Sequence, residues 1–546
     1  MRSNGAAEDG AATGGGTGRA NRVWHTGRGR YAVGVLTAFV ITVVSVYVLA
    51  QVHPDLVLAD TTATGGDMGA HVWGPAYLRD HLVPSGRLAG WAPDWYAGFP
   101  LYRFYMVIPS LIVLAYDLIV PYNVAFKIAT ITGLVTLPAA TAYLARSARL
   151  PFLGPMLAAV AGVAFLFNQS FSIYGGNAMS TLAGEFAFSI ALSVALVFLG
   201  LVYRAVHTGR YRRRAAVAFG LCVACHPIVA LFAVAAGGAI ALTSGRRKAV
   251  VRTVAVVVLG TALSAFWTVP FLAGRDQMND MGWERQTKFV EGLIPGPVGV
   301  SLSQQLGGAD DAAVAGDLGL VVTLAAAAAV VVWWRKVRLG MALTLVAAVA
   351  AVGYTTLPQG PLWNARLLPF WYLSVYLVAA VGAVEAFLWA GEAWTGKVLV
   401  GVGRWRAATQ ATAGDVCRGG VDTSGDVGRA QSRGAIAVVG GVIAVAVVMF
   451  NVAVGLHAVP GGAMRDDGTY EAFGVESTTK NPVAGWAEWN YAGVEAKAKF
   501  AEFDALMTTM GGLGRTRGYG RAMWEYSAEL GEYGTPMALM MLPFTV

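Results

Sequence analysis

The side chains best placed to do chemistry lie near the start of the chain, in the stretch Asp60-Thr61-Thr62-Ala63-Thr64-Gly65-Gly66-Asp67-Met68-Gly69-Ala70-His71. A carboxylate such as Asp67 can take a proton from a hydroxyl or hold a cation. His71 follows four residues later, so the two share a face if a helix begins here. The paired glycines before Asp67 allow tight turns and close approach of a ligand. Capping of that helix by Asp67 is the purely structural alternative.

The same segment continues through Trp91, Asp94 and Trp95. Aromatic side chains at this density form a membrane-interface belt or a stacking surface for sugar rings, and composition does not separate the two. A later loop, 273–317, mixes Arg275, Asp276, Asp280, Glu284, Lys288 and Glu291 with Trp283. Beyond it lies Trp363-Asn364-Ala365-Arg366. Arg366 opens an apolar run, and its planar fork matches phosphate geometry; snorkelling along the membrane edge is the alternative. Asn364 is a second polar candidate there. Glu185 is an acid or a cap near Asn177. His226, in an apolar stretch, is either functional or a packed core histidine. Cys222-Val-Ala-Cys225-His226 matches a haem-attachment pattern, but a single buried copy predicts no haem. No phosphate-cradling Walker loop, dinucleotide fingerprint, H-E-x-x-H motif or hydrolase triad occurs, which argues against an ATP-driven pump.

The elements that must position these residues are membrane helices. The 546-residue chain is 56% hydrophobic and 13% charged, with a mean hydropathy of +0.55. Soluble domains average about 45–50% apolar and about 25% charged. Apolar runs are expected to span at 31–51, 124–145, 152–168, 183–206, 250–272, 318–334, 339–356, 367–390 and 436–456. The run 104–120 is short and reads as an interfacial helix. Residues 215–242 are flanked by basic clusters and broken by His226-Pro227, which predicts a hairpin of two short helices. Sorted this way, about 11 crossings result. The segments then assigned to the cytoplasm hold 25 of the 40 Lys and Arg and seven of the 32 Asp and Glu. The formal net charge of +8 is thus topological rather than a sign of nucleic-acid binding. The N-terminus falls in the cytoplasm and the C-terminus outside the cell membrane. Residues 1–30 read as a disordered cytoplasmic tail and 31–456 as the transmembrane domain. Within that domain, 52–123 form the first outer loop and 391–435 a flexible cytoplasmic loop. Residues 457–546 read as the start of an outer domain expected to continue beyond Val546. Three cysteines exclude a disulfide framework.

The layout resembles the GT-C superfamily of polyprenyl-phosphate-dependent glycosyltransferases. Residues 65–71, 86–100, 174–185 and 363–369 are similar to those of actinobacterial GT-C-like membrane proteins labelled "6-pyruvoyl-tetrahydropterin synthase-related", a label that here does not signify pterin chemistry. The resemblance implies an all-α polytopic fold: a large first outer loop, an interfacial helix, a multi-span body and an outer C-terminal domain. It also implies transfer of a hexose or pentose from a polyprenyl-phosphate donor to an envelope glycan or glycolipid on the outer face. Asp67 matches the family's acidic position as base or ligand of a divalent cation (Mg or Mn), with His71 beside it. Arg366 would meet the donor phosphate. Trp91, Asp94, Trp95, Glu185, His226 and Asn364 are the remaining substrate-binding candidates. Asp67 lacks an immediately paired acid, since Asp60 is seven residues away. The alternative is a non-catalytic envelope-assembly subunit or a lipid-linked sugar translocator built on the same fold.

Overall fold

The computed structural model describes residues 27–95, 98–151, 153–281, 285–305, 318–358, 360–410, 424–466, 468–477 and 481–545. The chain divides into two compact units. The larger comprises Val40–Val384 with Ala444–Val546 and contains every candidate residue; the smaller comprises Met1–Phe39 with Glu385–Ile443. Within the smaller unit, Gly440 lies so close to Phe387 that a Cβ would sit 2.7 Å from its ring.

Helices dominate because the apolar runs are long and rich in Ala, Val and Leu, and lipid forbids unpaired backbone. Among the described residues, four helices are long and apolar enough to cross a membrane: Tyr122–Ser147, Ala178–Thr208, Arg338–Thr356 and Asn364–Ala390. A fifth candidate is the pair Arg247–Leu263 and Ala265–Ala273, bent by 79°. Among six apolar helices of 10–17 residues, four fall in further expected spans: Gly34–Ala50, Leu153–Leu166, Gly319–Trp334 and Gly440–Gly455. The short run 104–120 forms the helix Val107–Asp117. Its 11 residues rise about 16 Å, half of a hydrocarbon layer. The expected hairpin is Arg212–Cys225 and Pro227–Thr243, joined at His226 in an extended conformation.

One expectation changes. Across 391–435 a loop was expected, yet one helix runs unbroken from Leu368 to Gln410 and another begins at Ser424. Residues 391–410 contain no proline, so a helix already nucleated by its apolar half propagates through them. Residues 411–423 lie outside the described ones. Among the described residues there are also two small antiparallel sheets, Gly90–Ala92 with Phe99–Leu101, and a three-stranded one over 463–477.

Small residues set how closely the central helices pack. A Cβ on Gly133 would lie 2.5 Å from the Ile190 nitrogen, and Ser193 Oγ donates to the Gly133 carbonyl at 3.0 Å. The C-terminal segment is not an appended domain in packing terms. Val483, Ala487 and Tyr491 of the Pro482–Tyr491 helix enter the main core. Lys127, fully buried, ties three segments together. Its Nζ donates to Leu56 O at 2.7 Å, Thr61 Oγ1 at 2.9 Å and Tyr491 O at 3.2 Å. Truncation would leave those acceptors unpaired in the interior. Lys127→Ala is expected to cost about 1.5–3 kcal/mol, read as a lowered Tm of the detergent-solubilised protein; an unchanged Tm would remove Lys127 from this role.

Candidate functional site

The site begins with a broken helix. Asn177 caps Ala178–Ser180 by accepting from the Ser180 N–H at 2.8 Å. The backbone then widens over Thr181–Glu185 and turns at Gly184, φ 121°, before the Phe186–Thr208 helix starts. A positive φ of this kind strains any residue with a Cβ. Here the space is occupied as well: a Cβ on Gly184 would lie 2.6 Å from the Cβ of Asp67.

The Gly65-Gly66-Asp67 turn docks on this break. The Asp67 N–H donates to the Ala183 carbonyl at 2.9 Å. Gly66, φ 49°, approaches so closely that a Cβ would be 2.5 Å from the same oxygen. Gly66 is thus explained by backbone approach to the helix break, and Gly65, φ 92°, by the Asn490 side chain packed against it. The neighbouring Leu182 carbonyl accepts from Asn490 Nδ2 at 2.6 Å, and the Thr64 N–H donates to Asn490 O at 3.1 Å. Thr535 Oγ1 donates to the Gly66 carbonyl at 2.5 Å.

The Asp67 side chain is exposed at the start of the Met68–His71 turn, and it makes no capping hydrogen bond. The structure therefore does not use it as the helix cap. Asp67 is within electrostatic reach of His71, Tyr105 and Glu185. His71 Nε2 lies 3.2 Å from the Tyr105 hydroxyl, and the two rings stack at 5.2 Å. Burial holds the His71 imidazole below its ordinary range, while the Asp67 charge opposes the shift. Burial, then the charges of Glu185 and Asp67, push the Tyr105 hydroxyl up, so it stays protonated at neutral pH. Glu185, at the start of the Phe186–Thr208 helix, forms an ion pair with Arg366, and both side chains remain partly open. Arg366 also lies over the Trp363 ring, 5.6 Å from its centroid.

Asp67, His71, Glu185 and Arg366 are therefore brought together, with Tyr105 added. Trp95 stacks on Trp73 at 4.5 Å and shares with His71, Tyr105 and Phe186 a cavity of about 140 Å³. Asp94 and Trp95 also line a cavity of about 510 Å³ against residues 519–524. Trp91 is 63% exposed and lines a separate recess beside Trp267. Asn364 does not reach the cluster as a ligand group. It is 2% exposed, and its amide is engaged with Gln286 N, Gln286 O and Tyr354 O. Its role is to join the 273–317 loop to the Arg338–Thr356 helix, because those backbone groups would otherwise be unpaired. His226 packs on Phe188 at 4.9 Å within electrostatic reach of Arg366, and its Nδ1 has no protein partner. Cys222 and Cys225 are buried, and Cys222 Sγ donates to the Ala191 carbonyl at 3.7 Å. Trp283 and Glu284 lie outside the described residues.

Tyr105 and Asn490 carry no spacing signal in the sequence. Tyr105 is one of several aromatics in Tyr102–Tyr105, and Asn490 is 308 residues from its partner Leu182. For a cation, the donor set does not form a protein cage. Among the described residues no three His, Cys, Asp or Glu side chains gather to hold a metal ion, and Glu185 is already paired with Arg366.

Residues 102–400, more than half of the chain, match the family described as "6-pyruvoyl-tetrahydropterin synthase related domain; membrane protein". The chain belongs to that membrane-protein family. None of the curated proteins matches it. Among solved structures it is similar to the oligosaccharyltransferase of Archaeoglobus fulgidus. The apo form has 11% identity and a TM-score of 0.45, over 93% of this chain and 64% of that one. The form tethered to an acceptor peptide has 12% identity and a TM-score of 0.48, over 96% and 64%. A third structure, with an inhibitory peptide and a dolichol-phosphate, has a TM-score of 0.32, over 76% and 56%, at 12% identity. The chain spans less than two thirds of the length of these proteins.

Two outcomes test the docked turn. Gly184→Ala is expected to destabilise the protein by about 1–3 kcal/mol and to expose residues 64–67 to protease, read by Tm and limited proteolysis. The lowered His71 value means that the unfolded chain binds the proton first. Stability should therefore fall as pH drops below about 6.5. His71→Gln should flatten the dependence of Tm on pH between about 5.5 and 7; an unchanged slope would exclude His71 as its source.

Proposed function

We propose that this protein is a GT-C-type membrane glycosyltransferase. It would move a hexosyl or pentosyl group from a polyprenyl-phosphate donor to a cell-envelope glycan or glycolipid on the extracytoplasmic face. The observation that carries this reading is the exposed Asp67 residue, held by a backbone bond at the helix break that leads into the Glu185–Arg366 ion pair. Positive-inside charge sorting supports a plasma-membrane protein of 11 crossings, with a cytoplasmic N-terminus and this cluster outside.

In the proposed reaction the acceptor hydroxyl gives its proton to the Asp67 carboxylate as its oxygen bonds to the sugar C1. The C1–O bond to phosphate breaks, and its electron pair leaves on the polyprenyl phosphate. Base catalysis by a positioned carboxylate contributes about 10²–10⁴ in rate. Arg366 can present free N–H groups to the leaving phosphate while Glu185 holds its orientation, which stabilises charge where it develops. His71, kept neutral, positions Asp67 from the buried side together with Tyr105. Trp95 offers a stacking face and Asp94 a polar rim for sugar. No step passes through a metal ion.

A second reading, a non-catalytic envelope-assembly subunit or a lipid-linked sugar translocator, draws on the Glu185–Arg366 pair, in which the Arg366 charge is already matched. The test is transfer from labelled polyprenyl-phosphate sugars by purified protein. Asp67→Asn and Asp67→Ala should each lower transfer at least about 100-fold with donor binding retained. Arg366→Gln should weaken donor binding about tenfold. Full activity of both Asp67 variants would remove the catalytic base. Donor binding without transfer by the wild type would favour the second reading.

A further inference from the structure

The Phe186–Thr208 helix carries Glu185 at one end and His207 at the other. Its 23 residues rise about 35 Å, close to the thickness of a bilayer hydrocarbon core. At the His207 end a cavity of about 510 Å³ is lined by Arg146, Arg149, Arg204 and Arg338, with no Asp or Glu among its lining residues. The four guanidinium groups come from three parts of the chain: the end of the Tyr122–Ser147 helix, the end of the Phe186–Thr208 helix, and the start of the Arg338–Thr356 helix.

The contacts of these groups do not neutralise them. Arg204 lies over the rings of Tyr143 and Tyr211, at 5.2 and 5.4 Å. Arg338 Nη1 is 3.2 Å from His207 Nε2. His207 Nδ1 is 2.8 Å from the Tyr203 carbonyl, so it donates there. Nε2 then faces Arg338 as an acceptor, and His207 orients that guanidinium. Ser147, 5% exposed, is also part of the cavity wall, but its Oγ is turned toward Gly200, where an added Cβ would lie 3.1 Å from it. A general excess of basic residues on one membrane face places such side chains along a rim. It does not require four of them to line one concavity without an acid.

We propose that this cavity is a phosphate site. The bound group is a phosphate mono- or diester whose oxygens take guanidinium N–H groups. Arg forks match such oxygens in pairs. The level of the cavity, one membrane thickness from Glu185, places it where acidic phospholipid headgroups lie; a soluble phosphate offers the same chemistry. The site is independent of the glycosyl-transfer reading, because it shares no residue with the Asp67 cluster.

The full chain in detergent is titrated with short-chain phosphatidylglycerol, with phosphatidylcholine, and with inorganic phosphate, following Tm and displacement of a fluorescent phosphatidylglycerol. Phosphatidylglycerol is expected to raise Tm and phosphatidylcholine to leave it unchanged. Arg146→Gln/Arg338→Gln should weaken phosphatidylglycerol binding at least tenfold, and Arg146→Lys/Arg338→Lys less. If inorganic phosphate displaces the probe at concentrations that raise Tm, the site is confirmed with a soluble source; if phosphatidylglycerol alone does so, the source is a headgroup. Wild-type protein that distinguishes neither phosphatidylglycerol from phosphatidylcholine nor phosphate from chloride overturns the proposal, and that comparison needs no variant to fold. Equal binding by the folded Gln variant overturns it too.

Discussion

A helix interrupted inside an apolar body leaves carbonyls that lipid cannot satisfy, and the rest of the site is built around that need. Gly184 breaks the run from Ala178 to Thr208. The Ala183 and Leu182 carbonyls are then met by Asp67 N–H and Asn490 Nδ2, from segments far apart in the chain. In a medium where an unpaired backbone group costs several kcal/mol, these two bonds decide where the Gly65–Asp67 turn and the Pro482–Tyr491 helix must sit. The exposed Asp67 carboxylate is a consequence: its own backbone nitrogen is fixed to the break, so the side chain projects from a rigid point.

The sparse charges follow the same economy. Glu185 emerges just after the break and meets Arg366, which precedes the Leu368–Gln410 helix. Lys127, buried in the Tyr122–Ser147 helix, spends its three donors on Leu56 O, Thr61 Oγ1 and Tyr491 O at the end of the Pro482–Tyr491 helix. By contrast, the four arginines at the opposite end of the same bundle face one cavity without an acid. One end of the molecule therefore carries matched charge around an open carboxylate, and the other carries unmatched positive charge.

Much of this was legible in the residues. Long apolar runs marked the helices, because lipid makes hydropathy the dominant constraint. The short run at 104–120 became an 11-residue helix, and His226-Pro227 marked a true hairpin, since proline lacks the N–H a continuous helix would need. Gly65-Gly66-Asp67 announced a close backbone approach. Arg366 stood out because it broke the charge rule for its side of the membrane. Asn364 misled: a polar side chain beside Trp363 looked like a ligand group, yet its amide was required by unpaired loop backbone. The continuation of helix through 391–410 was missed because glycine and threonine content masks helical propagation from an apolar half.

The sequence by itself determined that this is a helical membrane protein, which segments are apolar, and on which stretch an acid could act, because burial in lipid is a property of local composition. The tertiary structure alone decided that Glu185 meets Arg366, that Tyr105 meets His71, and that Asn490 completes the helix break. Those pairings join residues 181, 34 and 308 positions apart. Nothing in local spacing encodes them. They exist because packing leaves each buried polar group few partners, and the folded chain supplies them from wherever its helices cross.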